Sequence, residues 1–133
     1  MKALAIVTLL ALSGCSRPRW DKPDEAYRAF SSAVRKGEYK TAWDALSAET
    51  RKKMEERAKA VSQASGGSVK DEPMIMFFAS GYKPLPQGEL KVAKEEGQSA
   101  VVEVSIADGG VTQSQKMIKE GDRWAVDLTE AFK

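Results

Sequence analysis

The stretch that decides the fold is Ala100-Val101-Val102-Glu103-Val104-Ser105-Ile106, answered further on by Arg123-Trp124-Ala125-Val126-Asp127-Leu128. In the first, Ala100, Val102, Val104 and Ile106 alternate with Val101, Glu103 and Ser105; in the second, Trp124, Val126 and Leu128 alternate with Arg123, Ala125 and Asp127. Successive side chains of a strand point to opposite faces, so this two-residue period predicts half-buried strands. A third strand is expected between them over residues 111–119, and a fourth before them over residues 89–95. Short glycine-containing segments separate the four: Glu96-Gly97-Gln98, Asp108-Gly109-Gly110 and Glu120-Gly121-Asp122. Turns of that kind favour consecutive antiparallel hairpins, so the second half of the chain reads as a meander of about four strands.

Moving towards the N-terminus, the period lengthens to that of a helix. Asp21-Lys22-Pro23-Asp24-Glu25 has the makings of a helix start, with proline in the first turn and acidic residues at the positive end of the dipole. Tyr27, Phe30 and Val34 follow at i, i+3 and i+7, and Gly37 closes the segment after Arg35 and Lys36. A shorter helix is expected over residues 38–46, with Tyr39, Ala42, Trp43 and Leu46 on one face. Ser47 reads as the N-cap of a third helix reaching Ala64, whose apolar face is thin: Met54, Ala58 and Val61. Its charged face runs from Arg51-Lys52-Lys53 through Glu55-Glu56-Arg57 to Lys59, and the interleaved signs predict a solvated surface. After the break at Gly66-Gly67-Ser68, Asp71-Glu72-Pro73 can start a fourth helix carrying Met74-Ile75-Met76-Phe77-Phe78 and closed by Gly81. Helices first and a meander last define an α+β fold, with N-terminal helices packed on a curved antiparallel sheet.

Composition narrows the chemistry. The 133 residues carry a formal charge of +2, near enough to neutral to give no reason to expect a nucleic-acid partner. Histidine is absent. That removes the usual general base near neutral pH, the commonest metal ligand and every Ser-His or Cys-His nucleophile pair. No catalytic residue, metal or cofactor is therefore assigned, and an enzyme is not the expectation. Chemistry, if present, would rest on carboxylates, Lys, Tyr or Ser.

The first fifteen residues read as an address. Lys2 supplies one positive charge, and residues 3–12 are apolar apart from Thr8. A membrane-spanning helix needs about twenty such residues, so this run has the length of a signal-peptide core instead. Leu12-Ser13-Gly14-Cys15 follows and resembles the lipobox of bacterial lipoproteins, in which the cysteine is lipidated and becomes the first mature residue. The competing readings are an ordinary secretory signal and a buried N-terminal helix. Cys15 is the sole cysteine, which rules out an internal disulfide. The resemblance implies a signal peptide over residues 1–14, a lipidated N-terminus and tether over residues 15–21, and a domain over residues 22–133. Ser16 stands where inner-membrane retention often uses Asp, which by the same resemblance favours the outer membrane.

The order of elements carries a second resemblance. Gly37-Glu38-Tyr39, then Ala42-Trp43-Asp44-Ala45-Leu46-Ser47, and finally Gly121-Asp122-Arg123-Trp124-Ala125-Val126 are similar to the NTF2-like superfamily, in particular its DUF4878-like lipoproteins. That resemblance implies a cone, a bent sheet wrapping the first helix with a pocket at its open end. It does not imply one function, because such a fold hosts enzymes, binding modules and scaffolds.

Two classes of function follow as expectations. The first is a membrane-anchored envelope lipoprotein whose domain binds a partner protein or a small apolar ligand without catalysis. Its surface would draw on Met74, Met76, Phe77 and Phe78, with Tyr27 and Trp43 in an aromatic pocket. The second is a carboxylate-dependent isomerase or hydrolase using Glu103 or Asp127, the latter with Tyr27 or Tyr82. Both carboxylates fall on the strand faces opposite the apolar positions, so solvent is their expected environment. A carboxylate inside a cavity and close to a second polar group would favour the enzyme.

Overall fold

A computed structural model describes residues 20–84, 88–105 and 112–133. The leader, Cys15, Ser16, Ile106, Val111 and the Asp108-Gly109-Gly110 turn lie outside the described residues. Helices α1 (Pro23–Lys36), α2 (Tyr39–Asp44), α3 (Ala48–Ala64) and α4 (Pro73–Ala79) precede strands β1 (Glu89–Glu96), β2 (Ser99–Ser105), β3 (Thr112–Glu120) and β4 (Arg123–Val126). A 3-10 turn, Thr129–Phe132, closes the chain. The strands lie in the order β1-β2-β3-β4, all antiparallel, so the fold is the α+β arrangement expected.

Local chemistry explains the helix bounds. Pro23 occupies the first turn of α1 beside Asp24 and Glu25, and Gly37 takes the left-handed φ of 75° that ends it. In that conformation the Gly37 and Glu38 N–H groups reach the Val34 and Ala33 carbonyls at 3.1 and 2.9 Å, which satisfies two otherwise open acceptors. Ser47 caps α3 by accepting a bond from the Thr50 N–H at 3.2 Å. Helix α4 stops at Ala79, short of the expected Gly81, where the Ser80 hydroxyl bonds back to the Met76 and Phe77 carbonyls.

The core lies between α1 and the sheet. Tyr27, Phe30 and Val34 meet Val102, Val104, Met117, Trp124 and Val126, with Leu46 and Phe78 in the same cluster. The expected stripe of α1 and the inward set of the meander are thus two halves of one apolar layer. A bulge between Val92 and Lys94 bends β1 against β2.

Three expectations are corrected. Helix α2 ends at Asp44 rather than Leu46, because Ala45 to Ser47 leaves to pair with the open edge of β4. The Val126 N–H donates to the Ala45 carbonyl and the Ser47 N–H to the Val126 carbonyl, each at 2.9 Å. Strand β4 ends at Val126 rather than Leu128. Asp127, expected on a solvated face, is only 4% exposed: its N–H still bonds the Lys116 carbonyl of β3 at 3.1 Å, and Thr50 of α3 lies against its carboxylate.

Candidate functional site

The candidate site is an apolar cleft of about 470 Å³ on the helical side of the molecule. Helix α3 contributes Met54, Arg57 and Val61, spaced i, i+3 and i+7 on one face. From α4 and its C-cap come Pro73, Met76, Phe77 and Ser80, again one face at helical spacing. Val69, in the connection between the two helices, completes the lining together with Ala131 and Phe132 of the 3-10 turn. Val61 and Val69 keep 37% and 41% of their surface in water, so the cleft holds wetted hydrophobic groups that an occupant would cover. Its volume falls in the range of small-ligand sites, about 300–1,000 Å³.

Why the cleft stays open follows from how α4 is used. Seven residues carry five consecutive large apolar side chains, which no helix can point one way. Phe78 goes into the core, 4% exposed, stacked on Tyr39 at 5.5 Å between ring centres. Met74 packs partly buried against the same core. Phe77 bridges core and cleft, 4.7 Å from Tyr82 and 6.2 Å from Phe132. Met76 faces the cleft, and Ile75 points outward at 53% exposure.

The residues expected to act together are therefore divided. Met76 and Phe77 line the cleft; Met74 stands behind them. Phe78 and Tyr27 are core residues and cannot form part of an accessible surface, which corrects that part of the expected set. Trp43 packs partly buried against the core and does not line the cleft. Between α1 and the sheet, Tyr27, Phe30 and Trp124 belong to the packed core. Arg57, Ser80, Val69, Ala131 and Phe132 escaped the sequence reading. Arg57 stood in a run that looked wholly solvated, and Phe132 had no periodic neighbours to mark it.

Neither expected carboxylate reaches the cleft. Glu103 stays half-buried on the sheet face away from Val102 and Val104. Asp127 is held by structural bonds: its Oδ1 accepts from the Thr50 hydroxyl at 3.2 Å and from the Thr129 N–H at 3.0 Å. Lys116 approaches Oδ2 at 3.5 Å. Burial alone pushes this carboxyl up, but the Thr129 bonds, the Lys116 charge and the Thr50 hydroxyl together hold it below the usual value. Tyr82, the other half of the imagined pair, has its phenol pushed well up by burial and by Tyr27 beside it, and it stacks on Phe77. The polar side chains of the cleft itself are Arg57 and Ser80.

Fold and cleft together define a small α+β domain with an apolar groove on its helical side. The family model "Domain of unknown function (DUF4878)" matches residues 13–127, and the chain belongs to that family. No curated protein and no solved structure matches it. Among the described residues no helix is long and apolar enough to cross a membrane, and no three His, Cys, Asp or Glu side chains gather as a metal site.

Proposed function

We propose that the protein is a lipid-anchored component of the bacterial cell envelope, held through acyl chains on Cys15, with an NTF2-like domain acting as a non-enzymatic binding module. The cleft between α3, α4 and the C-terminal turn is the binding site, for a partner protein or a small apolar ligand. One observation carries the binding part of this reading: wetted Val61 and Val69 flank a groove floored by Met and Phe and free of carboxylates in its lining. Methionine is unbranched and polarisable, so Met54 and Met76 can adapt to the shape of an occupant. The anchor rests on the order of charge, short apolar run, small residues and cysteine in the leader, and the family match takes in Cys15 itself. Acyl chains contribute roughly 0.8 kcal/mol per buried CH₂, so two or more would hold the domain durably. Ser16 favours the outer membrane.

The test is site-specific photo-crosslinking in intact cells. A photoreactive residue at Met76 of the full anchored chain should yield one discrete adduct, and one at exposed Lys91 on β1 should not. Adding Val61→Asp should abolish the Met76 adduct while leaving the thermal midpoint within a few degrees. No adduct, or one equally strong from Lys91, would reject the cleft as the site.

A further inference from the structure

The cleft sorts charge as well as apolar surface. Among the described residues that line it, Arg57 is the one charged side chain, and Ser80 the other polar one. The Ser80 hydroxyl already bonds to the Met76 and Phe77 carbonyls, which leaves the guanidinium as the side-chain donor open to an occupant. No carboxylate among the described residues lies within ion-pair distance of Arg57.

The nearby acids are engaged elsewhere. Glu55 and Glu56 line a second, polar groove together with Lys52, Lys59 and Asp71, and the two grooves share only Pro73. Glu130, beside Ala131, pairs with Lys133 at 2.6 Å. Glu49 stands two turns before Arg57, at the start of α3, whereas Lys53, one turn before it, is a second cation. Like charges four residues apart on a helix disfavour each other, and an anion at that edge relieves them. Arg57 is exposed while Met54 is buried, so the cleft has a charged, wetted margin and an apolar floor.

Size and donor count narrow the occupant. At about 30 Å³ for a group of water or methylene size, the 470 Å³ cleft takes roughly fifteen such groups. That is one acyl chain, not the pair that a phospholipid carries. A carboxylate matches the guanidinium fork bidentately and asks for nothing more, whereas a larger phosphate head group gains no second side-chain donor there. We propose that the cleft takes a single-chain fatty carboxylate, with its tail along Met54, Val61, Met76 and Phe77 and its head on Arg57. This rests on the cleft being the binding site, and it names the ligand class within that reading.

The lipidated full-length protein in phosphatidylethanolamine vesicles tests it, with hexadecanoate carrying a mid-chain diazirine as the probe. After irradiation, adducts should map to peptides that hold Met54 or Met76. Excess hexadecanoate should remove them, and excess hexadecanol should not. Arg57→Gln should lower the yield several-fold, whereas Lys59→Gln, in the polar groove, should leave it unchanged. Both residues are exposed, so both variants should keep the thermal midpoint. Equal competition by the alcohol, or full labelling of Arg57→Gln, overturns the anionic head and leaves the cleft standing as an apolar site. Equal competition by lysophosphatidylglycerol overturns the carboxylate in favour of a phosphate lipid. No adduct on the cleft peptides overturns the fatty ligand, and the Met76 crosslink in cells then decides separately whether the cleft is a binding site at all.

Discussion

The Thr50 hydroxyl joins two parts of the chain that the sequence keeps far apart, the start of α3 and the end of β4. It accepts from the Ser47 hydroxyl at 2.7 Å and from the Leu128 N–H at 2.9 Å, and it donates to Asp127 at 3.2 Å. Gln115 of β3 adds a bond from its side-chain amide to the Asp127 carbonyl at 2.8 Å. All four side chains are buried, so each unmade bond would carry its desolvation cost. Thr50→Val keeps the shape and removes the hydroxyl; urea unfolding should show a loss of about 2 kcal/mol. Asp127 also gives a pH signature. Its folded carboxyl is held below the unfolded value, so its contribution is complete above that value, roughly pH 4, and fades as pH falls through the folded one. The stability gap between wild type and Asp127→Asn should be open at pH 7 and narrow at pH 3; a gap that widens in acid would contradict the assignment. This knot was illegible in the sequence, because alternation tells which face of β4 Asp127 takes but not what covers that face. Asp127 keeps its backbone bond to Lys116 of β3, and it is Thr50 of α3, distant in sequence, that covers its carboxylate.

Among the elements, those with a strong internal signal are the ones the sequence marks well. Helix α1 has proline, acids, an apolar stripe and glycine in order, and each occupies its expected place. Ser47 is likewise the cap of α3, and Ser47→Ala should cost about 1 kcal/mol from the lost cap, with a further loss at Thr50. The meander is legible to within a residue or two at each described strand end because its inward set is mostly apolar, Gln115 of β3 apart. Helix α2 reads too long, since its last residues trade helical bonds for pairing with β4, a long-range choice that no local pattern encodes. Helix α4 divides its five apolar side chains three ways, and the division makes a sharp contrast testable. Phe78→Ala should lower stability by about 3–5 kcal/mol, whereas Ile75→Ala should stay within about 0.5 kcal/mol, both read from chemical denaturation. Similar losses at the two sites would mean that α4 is rotated from the position described here.

At the scale of the whole molecule, α3, α4 and the C-terminal turn leave an apolar groove between them, and the groove is half legible. Met54, Val61, Met76 and Phe77 belong to apolar faces that periodicity finds; Val69 and Phe132 come from a connection and a terminus, where there is no period to read. The binding module and its address are separate claims on one chain. Intact-mass spectrometry of the native protein extracted from membranes examines the anchor without intermediaries. The expected species begins at Cys15, lacks residues 1–14 and carries the added mass of acyl chains on that cysteine. A chain that begins at Met1, or a mature chain with a free Cys15 thiol, would contradict it.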